Sequence, residues 1–151
     1  MIDDPDLARE PRRPVRPPQA KISLMENFRD FEIGPDPFGQ TWHAQFKYLQ
    51  TAISIRHSDS VDVRYNLEGG SERTHKTIVI QNADIRAYAK RTGRPVSDAW
   101  CSRIAMCKLK NVIETAEDID KDYIQVTAAE IEEYDAQIKK WEEDWGKTHA
   151  A

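Results

Sequence analysis

Val61-Asp62-Val63-Arg64-Tyr65-Asn66-Leu67, continued by Glu68-Gly69-Gly70-Ser71 and later by Thr77-Ile78-Val79-Ile80, is the stretch on which the fold turns. Val61, Val63, Tyr65 and Leu67 alternate with Asp62, Arg64 and Asn66, the period of two that a strand with one buried face requires. The glycine pair predicts a flexible loop from Glu68 to Ser71. Thr77 to Ile80 is apolar on both faces and closes the sheet.

The alternation extends upstream. Trp42, Ala44, Phe46 and Tyr48 share one parity, while Leu49, Ile53 and Ile55 take the other, so a bulge or turn sits near Tyr48. His57-Ser58-Asp59-Ser60 is polar and turn-forming. Past Gln81 the period becomes helical. Asn82 is the expected N-cap of a helix with Ile85, Tyr88 and Ala89 inward, and Gly93 with Pro95 ends it. Ser97 caps the next helix, whose wide apolar face runs through Trp100, Cys101, Ile104, Ala105, Leu109, Val112 and Ile113. Thr127 and Glu130 form a capping box for a third, with a seam of Ile131, Tyr134, Ile138, Trp141 and Trp145. The expected fold is therefore α+β: an antiparallel sheet of three to five strands over about 30–81, then three helices over about 83–92, 98–116 and 128–145 packed on it.

Domain organisation follows from composition. The chain has 151 residues, 39% of them apolar, with 22 basic and 26 acidic side chains and a net charge of -4. This suits one globular domain over 25–151. Five of the eight prolines fall in the first 18 residues, among Arg9, Arg12, Arg13 and Arg16. Residues 1–24 are therefore expected to form a disordered Pro/Arg-rich arm of polyproline II character. Pro11, Pro14 and Arg16 spell a P-x-x-P-x-R string that would suit an aromatic-lined groove. The acidic start and the lack of any apolar run of about 20 residues predict a cytoplasmic protein with no membrane contact.

No phosphate-cradling loop, nucleophile elbow or zincin helix is written in the chain, and no cofactor is expected. His43, His57, His75 and His149 are scattered; His57 and Asp59 beside His43 or His75 are the one combination that could gather a metal, against the plainer reading of polar residues on the wet side of a sheet. Cys101 and Cys107 lie six helical steps apart, about 120° around the axis, too divergent to bond each other. They read as two buried thiols. From Glu114 to Asp144 twelve acids face three lysines, the pattern of a solvated acidic surface. No catalytic residue is assigned.

Between Asn82 and Ile113, by contrast, seven basic residues outnumber two acidic ones, and Arg86, Lys90 and Arg94 recur every fourth position as a basic stripe. Ala89-Lys90-Arg91-Thr92-Gly93-Arg94-Pro95-Val96-Ser97-Asp98, within residues 76–105, resembles the turn between the two helices of ribbon-helix-helix DNA-binding proteins, and less closely a helix-turn-helix turn. That resemblance implies a dimer placing a strand pair or a helix in the major groove. The competing expectation is that basic and acidic helices lie side by side and neutralise each other.

Taken together the expected function is non-enzymatic: binding or assembly with a macromolecular partner, a protein or a second copy of the chain. Arg12, Arg13, Arg16, Arg86, Lys90 and Arg94 are the candidate contacts, and Trp141 and Trp145 a candidate seam for a partner helix, set against plain core packing of both tryptophans. A nucleic-acid-binding regulator is the alternative, and a small ligand-binding domain or enzyme with a pocket on the sheet face is the second alternative.

Overall fold

The elements of the computed structural model follow in the order β1 (Asp30–Ile33), β2 (Trp42–Ala52), β3 (Ser60–Gly69), β4 (Glu72–Gln81), α1 (Asn82–Thr92), α2 (Asp98–Thr115), β5 (Tyr123–Val126) and α3 (Ala128–His149). Residues 25–52 and 59–149 are described. The arm with Arg12, Arg13 and Arg16, and the segment holding Ile53, Ile55 and His57, lie outside them.

The strands stand in one sheet in chain order, β1-β2-β3-β4-β5. β1 to β4 are antiparallel neighbours. The register of β2 on β3 slips between Phe46 and Tyr48, where the phase of the sequence changes, so that Leu49 still meets Val63 on the inner face. Glu68 and Gly69 are paired strand residues, opposite Arg73 and Glu72; the loop expected over four residues is a two-residue turn, Gly70-Ser71.

The fifth strand lies outside the span of about 30–81 expected for the sheet, and it is not antiparallel. β5 lies between α2 and α3 and runs parallel to β4, pairing Thr77 to Ile80 with Tyr123 to Val126. A parallel neighbour needs a crossover, which α1 and α2 provide. Lys76 fixes the approach: its Nζ donates to the carbonyls of Ile119 (2.5 Å) and Lys121 (2.7 Å) in the loop that delivers β5.

The buried apolar side chains of the strands point to one side, where the helices pack. Val61, Val63, Tyr65, Leu67, Ile78, Ile80, Ile124 and Val126 meet Ile85, Trp100, Ile104, Leu109, Ile113, Ile131 and Ile138 there. Each such side chain, fully removed from water, contributes about 1.5–3 kcal/mol before entropy is counted. The Tyr65 hydroxyl reaches through this layer to donate to the Ser102 carbonyl of α2 at 3.2 Å.

Helix ends follow the expected chemistry with one exception. Gly93, at φ 77°, closes α1 in the left-handed conformation, and the Ser97 side chain accepts from the Trp100 amide to open α2. Thr127 and Glu130 bond reciprocally at the start of α3. Asn82, however, is the first helical residue and not the cap; Gln81 holds that position without a side-chain bond, and Asn82 Oδ1 accepts instead from Arg86 Nε at 3.1 Å. No helix among the described residues is long and apolar enough to cross a membrane.

Candidate partner-binding face

The basic stripe does not survive intact. Arg94 turns inward, and its Nε and Nη2 donate to Oδ1 of Asp135 on α3 at 3.0 and 2.8 Å, while Nη2 also lies 3.0 Å from Glu142. Arg91 lies 3.9 Å from Glu132. Arg86 bonds its own helix, and Lys90 is exposed. The stripe is thus partly neutralised by the acidic helix, and two of its three members remain on the surface.

Asp135 corrects the reading of the acidic segment as uniformly solvated, for its side chain is fully buried. It accepts from the Tyr88 hydroxyl (2.7 Å), Trp100 Nε1 (2.8 Å) and Arg94, and Lys139 Nζ lies 3.6 Å away. Burial pushes the carboxyl up, but the hydrogen bonds from Tyr88, Arg94 and Trp100 and the charge of Arg94 outweigh it, holding Asp135 below the usual aspartate range. Burial and the same carboxylate raise Tyr88 to about 12. The sequence carried a signal: Asp135 falls on the apolar stripe of α3, four residues after Ile131 and three before Ile138.

The opposite face of the sheet carries no described helix. Register places Tyr48, Arg64, Thr77 and Tyr123 in one row across β2, β3, β4 and β5. With strands about 4.8 Å apart, the row spans about 14 Å. Tyr48 and Tyr123 are exposed; Thr77 is buried, and its Oγ1 has no hydrogen-bond partner among the described residues. Beside it runs Gln45-Asn66-His75, and then His43-Glu68-Arg73. These two rows line a depression of about 300 Å³. His43 Nε2 is hydrogen-bonded to Oδ1 of Asp30, and Arg73 Nε lies 3.3 Å from Glu68, so most formal charges here have a partner.

No family model, curated protein or solved structure matches the chain.

His43 and His75 do share a depression, but His57 lies outside the described residues, and among those described no three histidine, cysteine or acidic side chains are placed to hold a metal ion. Cys101 and Cys107 are buried and unbonded; burial pushes their thiols up to about 11 and about 12. β4, the strand before the helical turn that resembles the ribbon-helix-helix turn, is paired by β3 along its length and by β5 over Thr77–Ile80. Over those four residues it has no edge left for a second copy's strand. Along α3, Ile131, Tyr134 and Ile138 are core, Trp141 is half-buried, and Trp145 is exposed. The open-face row had not been singled out, because strand partners are not written in any one segment.

Proposed function

We propose that this protein is a non-enzymatic binding module that holds a protein partner on the helix-free face of its sheet. The observation that carries this reading is the Tyr48-Arg64-Thr77-Tyr123 row. Tyrosine and arginine are the residue types over-represented at the energetic centres of protein interfaces, because each combines apolar area with directed hydrogen bonds. Gln45, Asn66 and His75 beside the row add donors and acceptors for a polar rim. The pairing of Arg73 with Glu68 and of His43 with Asp30 suits a polypeptide better than a phosphate backbone, which rewards uncompensated positive charge.

Binding is favoured over catalysis because the strongly shifted groups Tyr65, Tyr88, Cys101, Cys107 and Tyr134 owe their shifts first to burial in the core. None of them lines the depression. A catalytic site places such groups where a substrate can reach them.

The test compares the natural chain with a Tyr48→Ser, Arg64→Glu, Tyr123→Ser variant in co-purification from the native host, followed by binding of the identified partner in purified form. We expect the purified partner to bind the variant at least about tenfold more weakly, with Arg86→Ala, Lys90→Ala unchanged. Equal binding by the row variant overturns the reading.

A second reading, single-stranded nucleic acid, is favoured by the same two tyrosines flanking an arginine, since bases stack on aromatic and guanidinium planes. It requires affinity for labelled oligonucleotides that falls as salt rises. No binding at low salt removes it.

A further inference from the structure

The two edges of the sheet are built differently. Strand order leaves β1 and β5 at the ends, each with a row of backbone groups turned away from its one neighbour. On β1, the Arg29 carbonyl accepts from the Phe46 amide at 2.8 Å and Phe31 lies opposite Ala44, so Asp30 and Glu32 are the residues whose N–H and C=O point outward. Both are acidic and exposed. A second β1 laid antiparallel along this edge would set Asp30 against Glu32, and like charges directly opposite each other oppose pairing.

On β5, the Thr77 amide donates to the Asp122 carbonyl at 2.7 Å and Thr77 lies opposite Tyr123. In a parallel ladder that register turns the N–H and C=O of Ile124 and Val126 toward β4 and those of Tyr123 and Gln125 away from it. The outward groups have no backbone partner among the described residues. Tyr123 and Gln125 are exposed, as are Lys121 and Asp122 before the buried Ile124 and Thr127, Ala128 and Ala129 after the buried Val126. The strand itself, Tyr123-Ile124-Gln125-Val126, holds no charge and no proline, the residue types with which sheet edges are ordinarily blunted.

We propose that β5 is the seam of a two-fold homodimer, pairing antiparallel with β5 of a second copy about an axis at Ile124. The edge itself dictates this register. With Ile124 opposite Ile124, Tyr123 stands opposite Gln125 of the second copy and Gln125 opposite its Tyr123, and each of these pairs exchanges both of its N–H to C=O bonds. Every outward group of both strands is then met. At the ends Lys121 falls opposite Thr127 and Asp122 opposite Val126, so no like charges face each other across the axis. Such a closed contact consumes the edge in both copies and leaves nothing for a third. Tyr123 and Gln125 share the helix-free side of the sheet, so the open faces of the two copies join into one, with the Tyr48-Arg64-Thr77-Tyr123 row of each ending at the seam. The proposal goes beyond the sheet-face reading and stands without it, because the seam is made by backbone whatever the row binds.

Gln125→Pro is the decisive variant, since proline removes an outward N–H and none of the bonds to β4. Sedimentation velocity of the full chain over a roughly hundredfold range of concentration should show one chain passing to two, with dissociation at least about tenfold easier for Gln125→Pro. Tyr48→Ser, Arg64→Glu, which alters the row on β2 and β3 and not the seam, should dimerise as the natural chain does. Amide exchange in the natural chain gives a readout that needs no variant. The Tyr123 and Gln125 amides should slow about tenfold or more between dilute and concentrated protein, while those of Ile124 and Val126, already bonded to β4, stay constant. A chain that stays single throughout, a dimer that Gln125→Pro leaves intact, a dimer lost in Tyr48→Ser, Arg64→Glu, or Tyr123 and Gln125 amides indifferent to concentration would each overturn the proposal.

Discussion

Arg94 and Asp135, 41 residues apart in the chain, meet through two hydrogen bonds from one guanidinium to a single carboxylate oxygen. The same carboxylate takes a bond from Tyr88 of α1 and another from Trp100 of α2, so one buried anion on α3 ties all three helices together. Taking a carboxylate out of water costs several kcal/mol, and it is tolerated only where donors surround it.

Removing one partner should therefore be worse than removing both. Asp135→Asn leaves Arg94 with only the more exposed Glu142 as a charge partner and should cost about 3–5 kcal/mol, read as a lowered denaturant midpoint. Asp135→Leu combined with Arg94→Met should recover the part of that loss owed to the stranded guanidinium, while the Tyr88 hydroxyl and Trp100 Nε1 stay without their acceptor. A double variant less stable than either single one would contradict this account.

The same site sets an acid response. The folded-state value of Asp135 is lowered by its donors, which outweigh burial, so its stabilising contribution is complete above the unfolded aspartate value of about 3.9 and drains away as pH falls toward the folded one. Glu130, opposed by burial but held down by Lys108 and by the Thr127 amide, acts in the same direction just above that window. Stability measured from pH 6 downward should fall more steeply for the natural chain than for Asp135→Asn; parallel curves would rule the carboxylate out as the cause.

Lys76 gives a local prediction. Its buried ammonium donates to two carbonyls of the loop before β5. Lys76→Met keeps the aliphatic stem but leaves those acceptors unmet, which should free β5 sooner than the rest of the sheet. Amide exchange at Ile124 and Val126 is expected to quicken about tenfold while Val63 and Tyr65 keep their protection. Uniform acceleration across all four would mean that Lys76 supports the whole fold and not this strand.

Gly69 and Trp42 form a matched pair across the sheet. A Cβ added at Gly69 would stand 2.7 Å from the Trp42 ring, closer than packed atoms approach. Gly69→Ala should cost about 1–3 kcal/mol by thermal or denaturant unfolding. In a Trp42→Ala background the same change should cost little, because the obstructing ring is gone. Equal penalties in both backgrounds would place the cost in the backbone.

The sequence alone determined the parts whose cause is local. Alternation from Val61 to Leu67 specifies one wet and one dry face, the parity change after Tyr48 requires the bulge, and Ser97, Gly93 and the Thr127-Glu130 pair mark helix ends because their hydrogen bonds close within four residues. Only the tertiary structure decided which charges are consumed and which side chains stand together. Arg94 and Asp135 become one site across a separation of 41 residues, and β5 joins as a parallel edge because four residues of alternation carry too little pattern to declare a strand. Tyr48, Arg64 and Tyr123 likewise share a row only once four strands have chosen their registers. Backbone conformation answers to near neighbours, whereas burial and charge pairing answer to whatever the folded chain brings alongside.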